Sequence, residues 1–186
     1  MALVCLAVFA ATGCARQPAP QHPERSPSTV ELVKEARSAG GQRRYDRANE
    51  LFERARDTAP DPPSRAYASR EHGRALAHWG RDELAQAALE DAVASDPGLA
   101  DAWHDLGILR YRAGQTEAAE RALSRAARLE PTDPRPRVAL AALHVNARQF
   151  DQARAMYREL YDLDISAPMR EAIDEALALL DREQGR

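Results

Sequence analysis

Histidine, cysteine and arginine are the residues of this 186-residue chain whose types could do chemistry. A metal-assisted hydrolase places two histidines four apart on one helix face with a glutamate beside the first, as H-E-x-x-H. His72, His78, His104 and His144 form no such pair. There is no nucleophile elbow, P-loop or glycine-rich dinucleotide turn. Asp and Glu fall mostly at helix-surface positions, where solvation or pairing one turn apart explains them. No catalytic residue, metal, cofactor or small-molecule substrate is therefore expected. The cysteines are Cys5 and Cys14 alone, and Lys34 is the single lysine, so almost all positive charge is arginine. Acidic residues outnumber basic ones to a net charge of -3, and without a long basic stretch nucleic acid is not an expected partner.

The elements that must position these side chains are legible from one segment. Trp103-His-Asp-Leu-Gly107 is followed by Gly114, Ala119, Leu123, Ala126 and Pro131. Trp103 and Leu106 share a helical face, and Leu123 supplies the facing one. Gly107, Ala119 and Ala126 are small where two helices must cross closely. Gly114 suits the left-handed residue that stops the first helix, and Pro131 ends the second. One period upstream, Gly73, Gly80, Ala85, Leu89, Ala92 and Pro97 fall in register. One period downstream, Leu140, Ala141, Ala153, Tyr157 and Leu160 do so, with Arg148 at the turn and Ile165 in place of the proline.

A fourth unit precedes these. Tyr45, Ala48, Phe52, Ala55 and Pro60 mark its second helix, and Asp61 to Arg65 reads as a proline-rich spacer. Ser28 and Glu31 predict a capping box, while Gly40 and Gly41 come early relative to Tyr45 and predict a turn about two residues longer than the others. After the fourth unit, Ile173, Ala176, Leu177 and Leu180 lie on one face of a segment opened by Pro168, as a terminal capping helix requires.

This pattern resembles the tetratricopeptide repeat family from Thr29 to the C-terminus. The resemblance implies an all-α, right-handed solenoid. It comprises about four helix-turn-helix units at 29–65, 66–99, 100–133 and 134–167, then a capping helix and tail at 168–186. It also implies a concave groove lined by the first helices of the hairpins. Carried over, Tyr67, Arg70, Arg74 and His78 would line it in the second unit. Asp101, His104, Ile108, Tyr111 and Arg112 would do so in the third, and Arg135, Val138, Ala142 and Asn146 in the fourth. That surface leans basic, and arginine forks with aromatic rings suit an extended peptide bearing carboxylates. The alternative is a set of arginines that merely solvate an exposed face. His72 takes the place of a core leucine and is expected to be structural, and Trp79 is expected to pack at a hairpin end.

Residues 1–13 form an apolar run ending in Ala11-Thr-Gly-Cys14, which resembles a bacterial lipoprotein signal with Cys14 as the acylated residue. The run is shorter than the roughly 20 apolar residues that cross a bilayer. Ala11 stands where leucine is usual, and no Lys or Arg precedes the run; a buried helix is the alternative. Residues 14–28 carry Pro18, Pro20, Pro23 and Pro27 and would be a tether reaching up to roughly 40 Å. Ala15 in place of aspartate points, by that resemblance, to an outer membrane facing the periplasm. The combined expectation is a non-catalytic protein-binding scaffold, lipid-anchored in the bacterial cell envelope and touching the membrane only through its lipid. The nearest functional resemblance is to tetratricopeptide lipoproteins that assemble outer-membrane machinery, pilotin-type lipoproteins among them. A soluble cytoplasmic adaptor and an accessory subunit of an envelope enzyme complex are the alternatives.

Overall fold

Four helical hairpins follow one another in the computed structural model, which describes residues 27–184. The expected signal segment at 1–13, Cys14 and all but the last two residues of the tether lie outside the described residues. The hairpins pair α1 (Thr29–Gly41) with α2 (Tyr45–Asp57), α3 (Pro62–His78) with α4 (Asp82–Ser95), α5 (Ala100–Arg112) with α6 (Thr116–Leu129), and α7 (Pro134–Asn146) with α8 (Phe150–Glu159). A single 3-10 turn, Leu160–Asp162, leads to α9 (Ala167–Gln184). The described residues hold no strand, as the all-α expectation required.

Small residues set the spacing within each hairpin. A Cβ built on Gly107 would lie 2.7 Å from Leu123 Cγ and 3.2 Å from the Leu123 backbone nitrogen, so α5 and α6 approach as closely as a glycine allows. Ala119 and Ala126 are fully buried on the α6 side. Alanine loses no side-chain entropy in such a contact, and the neighbouring leucines then fill the remaining space at crystal-like density.

All four intra-hairpin turns are built alike. One cap residue is followed by one residue in the left-handed region and one residue that begins the next helix. The left-handed residues are Arg43 (φ 60°), Gly80 (73°), Gly114 (75°) and Arg148 (57°). In each turn the next backbone N–H returns to a carbonyl of the first helix, as from Arg44 to Ala39 at 2.9 Å and from Gln115 to Arg110 at 2.9 Å. This corrects the expectation of a longer first turn. Gly40 and Gly41 belong to the last turn of α1, and Gly40 is small for another reason. A Cβ there would stand 2.6 Å from Trp79 Cζ2, because the indole of the next repeat packs across it.

The irregular length lies in α3 instead. It has 17 residues where α1, α5 and α7 have 13. Asp61 to Arg65 is therefore not a spacer. Asp61 caps the helix by accepting the Ser64 N–H at 2.7 Å, and Pro62 and Pro63 occupy the first turn, where the missing N–H is no loss and φ is already helical. The Ser28–Glu31 capping box forms as read.

The first helices contact one another in succession, α1 to α3 to α5 to α7, and so make one continuous face. At the far end α9 lies on α8, burying Ile173 with Leu160 and Ile165, while Leu180 is buried further along the helix. Arg154 meets Asp181 at 2.8 Å, and the Tyr161 hydroxyl bonds Asp174. No described helix is long and apolar enough to cross a membrane.

Candidate functional site

One face of α3, α5 and α7 carries the side chains from which a binding surface can be built. A fixed spacing of 34 residues superposes Tyr67 on Asp101 and Arg135, Arg70 on His104 and Val138, Arg74 on Ile108 and Ala142, and His78 on Arg112 and Asn146. Residues three and four apart along each helix share that face.

Charge on the face is not uniform. Arg70 is only 12% exposed and is enclosed by carboxylates: its Nε donates to Asp105 Oδ2 at 2.8 Å, and its Nη1 lies 3.3 Å from Asp101 and 3.6 Å from Glu71. Glu71 is buried, and it also meets Arg74 at 3.2 Å and Arg37 at 3.6 Å. Arg135 spans Asp101 at 2.7 Å and Asp133 at 2.8 Å, and Arg112 reaches Asp82 at 3.0 Å. Burial alone would raise the Asp105 carboxyl, but hydrogen bonds from His104 and Arg70 and the charges of Arg70 and Arg74 hold it below the usual carboxylate range. Asp133 is held low in the same way by Arg135 against burial. Hydrogen bonds to Asp133 and Asp101 in turn strengthen the hold of Arg135 on its proton. The groove is thus mixed in charge. Asp101, Asp105 and Glu71 offset its central arginines.

Two open clefts remain. One, of about 510 Å³, lies between the first and second hairpins, where Arg37, Arg43, Arg74 and His78 face Trp79 and Tyr45. The other, of about 240 Å³, lies between the second and third, where Ile108, Leu109 and Leu89 are flanked by Arg74, His104 and Arg112. Arg74 lines both. Of the side chains expected in the groove, Arg74, His78, His104, Ile108 and Arg112 thus line a cleft. Tyr67 instead packs against the core of the first hairpin, and Arg70 and Arg135 are taken up in ion pairs. Tyr111 and Asn146 hydrogen-bond to each other across α5 and α7.

Sequence reasoning missed Arg37, Arg43, Tyr45 and Glu71. Arg37 is the counterpart of Arg74 one repeat earlier, but the longer α3 shifts it from the regular spacing of 34 to one of 37 residues and so hid it. Asp101 and Asp105 lie four apart on α5, and Arg70 and Arg74 lie four apart on α3. That pairing of ladders was the available signal for the ion network. Trp79 packs at the hairpin end as expected, with its ring 4.9 Å from that of Tyr45, but it also walls the first cleft.

His72 stands apart from this surface. It is buried, stacks on Phe52 with ring centroids 4.9 Å apart, and donates through Nε2 to Asn49 Oδ1 at 3.1 Å. Burial, and then the charge of Arg56, lowers its pKa to about 4, so the ring is neutral. Among the described residues no three His, Cys, Asp or Glu side chains are grouped as metal ligands would be.

Family models described as tetratricopeptide repeat match residues 33–100, 80–135 and 110–162, which together run without a gap from 33 to 162. No curated protein sequence matches this chain significantly. Among solved structures, MamA is similar at 18% identity and a TM-score of 0.69, over 81% of this chain and 84% of that one. A second MamA structure gives 18% and 0.71, over 84% and 82%. The pilF protein of Pseudomonas aeruginosa gives 18% and 0.68, over 85% of this chain and 71% of its own. Solved chains that match number 207, so the fold is widely used and does not by itself select a partner.

Proposed function

The chain belongs to the tetratricopeptide repeat family, and from that premise we propose that it is a non-catalytic scaffold that holds an extended segment of a partner protein against α1, α3 and α5. The observation that carries this reading is the pair of contiguous clefts on the first-helix face, one apolar around Ile108 and one lined by arginine and aromatic side chains. An extended peptide matches such a surface because its alternate side chains enter successive pockets while the rigid helices stay in place.

The scaffold acts in the bacterial cell envelope, tethered through a lipid on Cys14, and assists assembly of an envelope machine such as a pilus, secretion or outer-membrane complex. The apolar run before Cys14 and the prolines after it support this placement. Two acyl chains contribute enough buried methylene to make such an anchor stable, at about 0.8 kcal/mol per methylene.

Two measurements test the proposal. A photo-crosslinking amino acid at Ile108 should capture a partner that the same group at Leu84, exposed on α4, does not, and Ile108→Arg should abolish that capture with the helical circular dichroism unchanged. Equal capture from both positions would refute the groove. For the anchor, the wild type should carry an acylated Cys14 as its N-terminal residue and sediment with membranes. Cys14→Ala should remain unprocessed or be released, and a full-length, soluble wild type would move the protein to the cytoplasm.

A further inference from the structure

The unbalanced positive charge of the first-helix face is concentrated at one end. Arg70, Arg112 and Arg135 are each within 3.0 Å of a carboxylate oxygen. In the first cleft, by contrast, Glu71 is the one carboxylate lining the site and is shared by Arg37, Arg70 and Arg74, Arg74 is otherwise 3.9 Å from Asp105, and Arg43 has no acidic side chain within ion-pair distance among the described residues. This local excess sits in a chain whose net charge is -3. Beside it stand Trp79 and Tyr45, their rings tilted 52° to one another, with Tyr45 41% exposed. Guanidinium groups next to aromatic rings, here an exposed Tyr45 and a partly buried Trp79, are the composition of an energetic anchor point in peptide binding.

Arg43 is held in the left-handed region at φ 60°, where the corresponding turns of the second and third hairpins have Gly80 and Gly114. A long cationic side chain thus stands at the mouth of the cleft at a backbone position that glycine fills without strain.

Resting on the reading of this face as a peptide groove, we infer that the cleft formed by Arg37, Arg43, Arg74, Tyr45 and Trp79 selects acidic partners. It binds a partner segment in which a carboxylate adjoins an aromatic side chain, with an aliphatic residue of the same segment entering the cleft at Ile108. The carboxylate supplies the counter-charge that Glu71 alone does not, and the aromatic ring stacks on the Trp79–Tyr45 wall. Arg74, common to both clefts, joins the two halves of the site.

The probe is a fluorescein-labelled extended peptide with a Glu-Phe-Glu core followed by leucine, titrated with the full chain and followed by anisotropy. Two analogues replace Glu by Gln or Phe by Ala. The acidic aromatic peptide should bind, each analogue should bind about tenfold or more weakly, and added salt should weaken the acidic peptide most. Arg43→Gly is the decisive variant, because it relaxes the backbone and cannot unfold the turn by straining it. It should reduce affinity about fivefold to tenfold, as loss of one charge-assisted hydrogen bond does. Absence of binding, equal binding of the Glu and Gln peptides, or an unchanged affinity in Arg43→Gly would overturn the inference. If Ile108→Arg abolishes binding while Arg43→Gly does not, the acidic selectivity fails and the groove stands. If neither variant changes binding, both fail.

Discussion

At the scale of single residues, His72 shows how one side chain changes meaning with its surroundings. It occupies the register of Leu106 and Leu140, both core residues, and its ring stacks on Phe52 where a leucine would pack. The unfolded ring titrates near 6.5 and the folded one at about 4, so between those values the unfolded chain binds the proton more readily. The contribution of a neutral His72 to stability is therefore complete above pH 6.5 and lost as pH falls toward 4, a change of roughly 3 kcal/mol. His72→Leu should flatten that part of the stability profile, measured by urea unfolding at a series of pH values between 4 and 7. A wild-type profile with no slope there would show that the ring is protonated in the folded chain.

At the scale of helices and turns, packing and backbone geometry make opposite demands on glycine. At Gly107 a methyl group would meet Leu123 within 3 Å on the body of the neighbouring helix, where the backbone nitrogen is only 3.2 Å away. Gly107→Ala should destabilise by about 1–3 kcal/mol, although alanine is the better helix former by about 1 kcal/mol. Denaturation midpoints compared at equal slope would measure it. Arg148 presents the reverse case. Its φ of 57° costs a residue with a Cβ about 1–2 kcal/mol, whereas glycine adds roughly 0.4–1 kcal/mol of unfolded-state entropy. Arg148→Gly should therefore raise the melting temperature slightly or leave it unchanged, and a clear drop would mean that the arginine side chain holds the turn. Arg148 stands at the turn position in the repeat pattern, but neither the extra turn of α3 nor the left-handed Arg43 could be read from it. The pattern specifies which residue types recur, and both departures replace a recurrent residue by one that local capping or a tolerated strain accommodates.

At the scale of the whole molecule, each hairpin packs most closely within itself and completes its core against its neighbour. α9 completes the last one, burying Ile173 with Leu160 and Ile165 beyond the end of α8. A chain ending after Asp162 should expose Leu160 and lose protection in α7 and α8 first, while α1 to α4 stay protected. Amide hydrogen exchange would resolve this order, and uniform loss across all hairpins would mean that the array unfolds as one unit. The same stacking explains why the binding face is composite. Arg70 on α3 meets Asp101 and Asp105 of α5, and Arg135 on α7 meets the same Asp101, so adjoining repeats define the charge that a partner encounters.

The fold and the number of hairpins were legible in the spacing of residues along the chain. Those follow from spacing: small residues where helices cross, a turn after each first helix, and apolar positions repeated every 34 residues can be satisfied together by one stacked arrangement. Tertiary structure decided which arginines are available. Arg70, Arg74, Arg112 and Arg135 are alike in one dimension, and only the packing of α3, α5 and α7 brings Asp101 and Asp105 within ion-pair distance of some of them. The same packing gathers Arg37, Arg43, Tyr45 and Trp79 from two hairpins into one cleft. Pairing of charges depends on distances of a few ångströms between different helices, and these are set by helix crossing and by the length of α3, which spacing along the chain does not encode.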